Sequence, residues 1–277
     1  MEKIFVTSGF SNNSKAGMRF AIQLASQYKF ELTFFHSYYI MKPTSWSDTT
    51  YATYEKGEAN KIQKKLNQFV VSVYKSIGIA SKNIKCVISS SAFTNSNIRD
   101  YALENKFSYI CISTRGAGKL KKIFGTNTSS LINNSTVPVI AVPHNYRKRT
   151  IASILYASDL VNLECELKKV IAFAKPLKAI IELMHFNSPL DLITDSKTIE
   201  TAVNKFLKYI VRLHLDNANP VNTFISNIQS AIQKLKPSML IMFTQQNRSI
   251  FEKIFLSSNS AEYSFNAKVP LLVFNKI

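Results

Sequence analysis

A series of short apolar runs occurs twice along this chain, and this internal repeat limits what the chain can fold into. The three matching pairs are residues 4–10 with 154–160, 34–37 with 183–186, and 137–142 with 269–274. Three matches in the same order indicate two copies of one fold. The chain has 277 residues, enough for two domains, which we place at 1–146 and 150–277 on either side of a basic linker.

Strand-length apolar runs alternate with amphipathic helical patterns in the first half. The spacing predicts strands at residues 3–8, 32–36, 83–90, 109–112 and 137–142, and helices over about 18–25, 55–79 and 97–106. A helix over about 199–215 is predicted to match the long helix of the first half. This alternation favours an α/β architecture with parallel strands, whose ligands bind at the carboxyl ends of the strands. We interpret His36, at the end of the second strand, as structural.

Hydropathy and cysteine usage predict the compartment. Apolar runs stay far below the roughly 20 residues that a membrane helix needs. The first residues lead straight into a strand pattern and lack the apolar region of a signal peptide. Cys86, Cys111 and Cys165 cannot all pair, and we interpret them as buried free thiols of a reducing compartment. We therefore expect a cytoplasmic protein that does not enter membranes.

The charge is strongly positive and unevenly distributed. Of the net charge of +18, most lies in the first 150 residues, which carry 21 of the 35 basic residues and 7 of the 17 acidic ones. A basic half attracts anions such as nucleotides, nucleic acid or acidic lipid, although general solubility explains the charge as well. The sequence contains no helix-turn-helix, zinc-finger or RNA-binding signature, so nucleic acid is the less favoured partner.

Residues 108–143 combine the features of a phosphate site. A predicted strand is followed by a loop with three glycines and several cations, then by a helix start at Gly125 and Thr126, then by another strand. Glycines let backbone N–H groups approach an anion, and the start of a helix adds partial positive charge. A surface loop with a helix cap is the alternative interpretation. All seven glycines precede residue 126, so a glycine loop exists only in the first half.

This stretch resembles the nucleotide-loop signature of the universal stress proteins, in which Gly-x2-Gly, nine residues and Gly-Ser/Thr precede a strand with a Val-Pro-Val type sequence. Gly116 matches the second glycine, and Gly125 with Thr126 matches the closing pair. Ser113 stands where the first glycine is expected, and eight residues separate Gly116 from Gly125. Because the repeat also fits tandem members of the family, the resemblance covers essentially the whole chain.

The resemblance implies two tandem five-stranded parallel-sheet α/β domains, Rossmann-like and similar to the adenine nucleotide alpha hydrolases. It implies an intrachain pseudo-dimer that pairs through the last strands, from Val137 to Val142 and from Val269 to Phe274. A homodimer is a further expectation. The expected ligand is ATP with Mg²⁺, without other cofactors. The expected nucleotide-binding residues are Ser8, Gly9, Ser37, Ser113, Arg115, Gly116, Gly118, Lys119, Gly125, Thr126, Asn127 and Thr128.

Each half departs from the family pattern in a different way. Gly9 replaces the Asp that the family usually has after the first strand, whereas the second half keeps Asp159 but has no glycine loop. We therefore predict a stress-response protein that binds ATP or a related nucleotide weakly, through its first domain only. The alternative is a scaffold or interaction protein of the same fold without nucleotide. Signatures of hydrolases and metal enzymes are missing from the sequence, so we expect at most slow ATP hydrolysis.

Overall fold

A computed structural model describes residues 1–81, 83–114, 126–187, 209–217, 224–243 and 269–275. These residues divide into two compact units. Unit 1 consists of Met1–Thr114 and Thr126–Lys148, and the described residues of unit 2 begin at Arg149. Among the residues that the structure describes, no helix is both long and apolar enough to cross a membrane.

Unit 1 is an α/β unit in which the described strands all pair in parallel. Its described elements in chain order are β1 (Lys3–Thr7), α1 (Ser14–Gln27), β2 (Glu31–Tyr38), α2 (Asp48–Ser76), β3 (Lys85–Ser90), α3 (Thr94–Glu104), β4 (Tyr109–Ser113), α4 (Thr126–Asn134) and β5 (Val139–Val142). The strands are ordered β3-β2-β1-β4-β5. Helix α1 packs beside α2, and α3 packs beside α4. The predicted alternation of strands and helices is confirmed.

An aromatic cluster between the sheet and α3 holds the central strand of unit 1 in place. The Phe5 ring on β1 is fully buried and lies 4.6 Å from the Phe35 ring on β2. Phe107 lies 4.8 Å and Tyr101 5.3 Å from the same ring, measured between centroids. Each buried aromatic side chain contributes roughly 2–3 kcal/mol through removal of its apolar surface from water. This cluster keeps the carboxyl ends of β1 and β2 level with each other.

The strand order of unit 1 reverses at β1. From β1 the chain proceeds to β2 and β3 on one side, then crosses to β4 and β5 on the other. Residue Val6 of β1 is aligned with Cys111 of β4, so the carboxyl ends of these two strands lie side by side. In open parallel sheets, ligands bind at such a reversal because the neighbouring loops diverge to opposite faces and leave a crevice.

Helix α2 and strand β2 of unit 1 are longer than the sequence pattern predicted. Helix α2 begins at Asp48 rather than near residue 55, and the hydroxyl of Ser47 accepts a hydrogen bond of 3.1 Å from the Thr50 N–H. A serine that caps a free N–H group is a common helix start. The prediction missed it because Leu66, the first buried residue of α2, lies nearly five turns further on. Strand β2 extends to Tyr38, two residues beyond its predicted end.

Unit 2 repeats the strand order of unit 1. Its described elements are β6 (Ser153–Ala157), α5 (Leu163–Ala174), β7 (Ile180–Asn187), β8 (Val211–Asn217), α6 (Phe224–Leu235), β9 (Met239–Phe243) and β10 (Leu271–Phe274). The order β10-β9-β6-β7-β8 is that of unit 1 read from the other edge. Two tandem α/β units, expected from the repeat, are therefore present.

The predicted helix over residues 199–215 is wrong at its end, because residues from Val211 onward form strand β8. Residues 199–208 lie outside the described part of the chain. Val211, Leu213 and Leu215 alternate with polar residues, the period of a strand rather than of a helix. The buried carboxylate of Glu182 on β7 also holds β8, since it accepts from His214 at 2.7 Å and from Arg212 at 3.2 Å.

The interpretation of the three cysteines as buried is only partly right. Cys111 is fully buried in β4, Cys86 is half-buried, and Cys165 is exposed on α5. Burial raises the pKa of the Cys86 thiol to about 11 and raises that of Cys111 further. Cys165 lies on the opposite side of α5 from the buried residues Leu167 and Val170, which explains its exposure. All three thiols are free.

Candidate functional site

The turn after β1 is held by hydrogen bonds to β2. The Ser8 N–H donates to the carbonyl of Phe35 at 2.8 Å, and His36 Nδ1 donates to the carbonyl of Ser8 at 2.7 Å. The Ser8 hydroxyl accepts a hydrogen bond of 3.3 Å from the N–H of Phe10. Phe10 has a φ of 54°, a left-handed conformation that costs a non-glycine residue about 1–3 kcal/mol. These bonds stabilise the turn despite that strain.

Unit 2 contains the same turn with the same partners. Ser158 N–H donates to Met184 at 3.0 Å, His185 Nδ1 donates to the Ser158 carbonyl at 2.9 Å, and Leu160 has a φ of 65°. The Leu160 N–H donates to the Ser158 hydroxyl at 3.0 Å, as Phe10 does to Ser8. The repeat found in the sequence therefore extends to individual hydrogen bonds. It also shows that both histidines position a loop, which supports the structural interpretation of His36.

The residue between serine and the strained position distinguishes the two turns. Unit 1 has Gly9 there, and a Cβ atom built on Gly9 meets nothing within 4 Å. Unit 2 has Asp159, whose carboxylate accepts a hydrogen bond of 3.0 Å from the Val161 N–H. The turn of unit 1 thus leaves open space and no negative charge where unit 2 has a carboxylate.

Ser113, at the end of β4, is bound to α1. Its hydroxyl accepts a hydrogen bond of 2.7 Å from the Gly17 N–H and donates one of 3.2 Å to the Ser14 carbonyl. A Cβ atom on Gly17 would lie 2.8 Å from this hydroxyl, closer than real contacts allow. Gly17 therefore makes room for a serine at the position where the resemblance expects glycine. The described geometry gives the Ser113 hydroxyl a role in packing α1 on β4.

A second polar group lies at the ends of β2 and β3. Asn97 of α3 donates to the Ser37 hydroxyl at 2.8 Å and to the Ser89 carbonyl at 3.3 Å, and its side-chain oxygen accepts from the Ser89 hydroxyl at 3.0 Å. This arrangement fixes the half-exposed Ser37 beside the turn after β1. Asn97 was predicted only as the start of a helix, and its polar role was missed because a lone asparagine carries no pattern.

Aromatic rings and lysines surround the same turn. The Phe10 ring lies 4.2 Å from the His36 ring and 5.8 Å from the Phe69 ring of α2. The Lys65 ammonium lies 4.7 Å above the Phe10 ring, and the Lys15 ammonium lies 5.4 Å from the Phe69 ring. Each such contact contributes about 0.5–1 kcal/mol at an exposed site. No ion pair among the described residues includes either lysine.

This environment lowers the pKa of His36. Burial of the imidazole is the largest cause, and the positive charge of Lys65 adds to it, while the hydrogen bond to Ser8 acts in the opposite direction. His36 is therefore neutral at pH 7, with its proton on Nδ1. Sequence analysis missed Phe10, Lys15 and Lys65 as neighbours of this turn. The only sequence feature that indicates such a neighbourhood is the i,i+4 spacing of Lys65 and Phe69, which puts both on one face of α2.

The remaining predicted site residues belong to the loop after β4 and to α4. Helix α4 begins at Thr126, as predicted, with Asn127 exposed and Thr128 buried. Arg115, Gly116, Gly118, Lys119 and Gly125 lie outside the described residues. The structure therefore brings Ser8, Gly9, Ser37 and Ser113 to one end of the sheet of unit 1, at the strand reversal.

Comparisons with known proteins agree with this architecture. A sequence model of the universal stress protein family matches residues 1–143. A universal stress protein from Archaeoglobus fulgidus has a similar structure, with a TM-score of 0.67 and 17% identity over 99% of this chain and 96% of that one. A putative universal stress protein from Pseudomonas aeruginosa is also similar, with a TM-score of 0.55. The two sequences are 13% identical, and the alignment covers 99% of this chain and 93% of that one. At these identities the likeness shows a shared fold. None of the curated proteins matches the sequence.

Proposed function

The chain belongs to the universal stress protein family, and from this premise we propose that it is a stress-response protein whose first unit binds an adenine nucleotide weakly. The observation that carries the proposal is the strand reversal at β1, with the carboxyl ends of β1 and β4 side by side. Crevices of this kind hold nucleotides in parallel α/β sheets. Of the two units, only the first has glycines after its fourth strand.

In this proposal the phosphates bind at the start of α4. The glycines of the segment before Thr126 let N–H groups approach an anion, and the helix start adds positive charge. Arg115 and Lys119 supply full charges, and Asn127 is exposed at the first turn of α4. In the same proposal, Ser8 and Ser37 line the side of the site that holds the nucleoside. Ser8 and Ser113 already make hydrogen bonds within the protein, so their contribution is the shape of the crevice.

A protein-bound Mg²⁺ does not fit the described residues. Magnesium sites usually need one or two carboxylates besides the phosphates. The segments after β1 and β4 contain no Asp or Glu between Thr7 and Asn13 or between Tyr109 and Asn134. Magnesium would therefore reach this crevice only as part of the nucleotide. We propose binding rather than catalysis as the activity of this site.

The test is a thermal-shift titration of the full chain with ATP at millimolar concentrations. A ligand that binds only the folded state raises the melting temperature as its concentration exceeds Kd. We expect a shift for the wild type that disappears in Gly125→Val, because a β-branched side chain restricts the loop before α4. Gly57→Val is the control, since Gly57 lies on the exposed face of α2 with nothing within 4 Å of its Cβ position.

Mass spectrometry of small molecules released from the purified protein complements this titration. Adenine nucleotide recovered from wild type but not from Gly125→Val would support the proposal. No shift and no nucleotide in the wild type would refute it and favour a scaffold function. One observation fits that second candidate: Tyr39, Met41 and Tyr54 around the start of α2 are 57%, 76% and 46% exposed.

Three further expectations stay predictions: a cytoplasmic location, a homodimer, and pairing of the two units through the strands that contain Val137–Val142 and Val269–Phe274.

A further inference from the structure

We propose that the nucleotide site of unit 1 prefers an adenine nucleotide that carries a second phosphate, on the 2′ or 3′ oxygen of its ribose. This inference rests on the proposed function and names its ligand class. It follows from three features of the turn after β1: open space at Gly9, the absence of an acid there, and two ammonium groups nearby that make no ion pair among the described residues.

The open space is the first step. A Cβ atom on Gly9 meets nothing within 4 Å, and the equivalent turn of unit 2 carries a carboxylate at Asp159. In nucleotide-binding α/β folds, an acid near the ribose accepts hydrogen bonds from its hydroxyls, whereas a nearby cation accommodates a ribose phosphate. Unit 1 has the space and lacks the acid. A phosphate at this place would meet no negative charge from the turn.

The placement of the cations is the second step. The Phe10 ring packs against His36, and the Lys65 ammonium lies over Phe10 at 4.7 Å. The positive charge of Lys65 also contributes to the lowered pKa of His36. Lys15, in the first turn of α1, lies over Phe69, whose ring is 5.8 Å from Phe10. A continuous set of ring contacts therefore holds both lysines around the turn that contains Gly9.

Charge balance is the third step. If a carboxylate of the protein neutralised the charge of these ammonium groups, they would attract an anion only weakly. The ion pair within α2 joins two other residues, Lys61 and Glu58, whose Nζ and Oε1 atoms lie 2.7 Å apart. Lys65 and Lys15 keep an uncompensated charge among the described residues. A nucleotide with two phosphate positions would place one at the start of α4, as in the proposed function, and the other beside these two lysines.

The experiment compares adenosine 5′-monophosphate, adenosine 5′-diphosphate, adenosine 2′,5′-bisphosphate and adenosine 3′,5′-bisphosphate by isothermal titration calorimetry on the full chain. Hydrogen bonds to charged groups predict that one or both bisphosphates bind about tenfold more tightly than the monophosphate. The 5′-diphosphate carries its extra charge at the other end and controls for charge alone. The two isomers distinguish a 2′ from a 3′ phosphate.

Substitutions then locate the effect. Lys15→Gln and Lys65→Gln should each reduce the preference for the bisphosphate several-fold, whereas Lys64→Gln, an equal loss of charge at the exposed neighbour of Lys65 on α2, should preserve it. Gly9→Asp has room for its side chain and should reverse the preference in favour of the monophosphate. Circular dichroism verifies that each variant is folded.

The outcomes separate the two proposals. A bisphosphate preference that disappears in Lys15→Gln or Lys65→Gln, but persists in Lys64→Gln, supports the inference. Binding of ATP and of all four nucleotides without preference, or a preference that Lys64→Gln abolishes equally, overturns it and leaves the proposed function standing. Absence of any adenine nucleotide binding overturns both.

Discussion

His36 determines the shape of the turn after β1 through one proton. Its Nδ1 donates to the Ser8 carbonyl, while burial and the nearby Lys65 ammonium favour the neutral imidazole. His185 makes the equivalent hydrogen bond to Ser158 in unit 2. A histidine at the end of the second strand is therefore a structural device used twice in this chain. Sequence alone suggested the structural role, and the repeated hydrogen bond supplies its physical reason.

We expect His36 to titrate below its ordinary pKa of 6.5, because burial and the charge of Lys65 both oppose protonation. The unfolded chain then binds the proton more readily, so the stability that His36 contributes is present above pH 6.5 and is lost as the pH falls through the lowered pKa. The measurement is an NMR titration of the His36 ring, assigned with His36→Gln.

Lys65→Gln should raise the pKa of His36 by removal of the neighbouring charge, whereas Lys64→Gln should change it less. A His36 pKa at or above 6.5 in the wild type would contradict the arrangement described for this turn.

At the scale of elements, α1 approaches β4 so closely that glycine is required at the contact. The Gly17 N–H donates to the Ser113 hydroxyl, and a Cβ atom on Gly17 would lie 3.2 Å from the Ser113 nitrogen and 2.8 Å from its hydroxyl oxygen. Gly17 and Ser113 are thus complementary: the helix contributes a residue without a side chain, and the strand contributes a hydroxyl that fills the space and accepts a hydrogen bond. The departure of Ser113 from the family pattern is explained by its partner on α1.

Gly17→Ala should reduce the free energy of unfolding by about 1–3 kcal/mol, because the methyl group overpacks this contact. Gly57→Ala in α2 is the matched control: its Cβ has open space, and alanine should stabilise the exposed helix by up to about 1 kcal/mol. Urea denaturation measures both. Ser113→Gly should recover part of the loss in the Gly17→Ala background, since it removes the closest atom. Equal effects at the two glycines would show that the contact is not tight.

At the scale of the whole molecule, the fold is repeated but the positive charge and the glycines are not. Both units have the same strand order and the same strand-one turn. The positive charge and the glycines, however, are concentrated in the first half. One fold therefore occurs twice, while the features that attract and hold an anion occur once. This asymmetry is the basis for the proposal that the first unit alone binds a nucleotide.

The net charge of +18 predicts that association with an anionic nucleotide depends strongly on salt. We expect the association rate constant of a fluorescent ATP analogue, measured by stopped flow, to fall several-fold between about 50 and 500 mM NaCl as the Debye length shortens. The dissociation rate constant should change less, because it depends on short-range contacts. An association rate independent of salt would show that the charge of the chain does not guide the ligand.

Local patterns in the sequence were sufficient to predict the fold class, the two copies of the fold and the start of α4. Periodicity and turn residues carry that information locally, and the repeat supplied an independent check. Local patterns gave a wrong prediction where they were ambiguous, because residues 211–215 form a strand rather than the end of a helix. A short alternation of apolar and polar residues is compatible with either element. Pairing with β7 makes this segment a strand.

Only the tertiary structure decided which side chains meet. Gly17 with Ser113 and Asn97 with Ser37 are 96 and 60 residues apart, and nothing in the spacing of one member indicates the other. Lys65 of α2 lies over Phe10, and Lys15 of α1 lies over Phe69, whose ring contacts Phe10. Contacts between distant segments depend on register and packing, which propensity and periodicity do not encode. The chemistry of this site therefore emerges only once the sheet has placed β1 between β2 and β4.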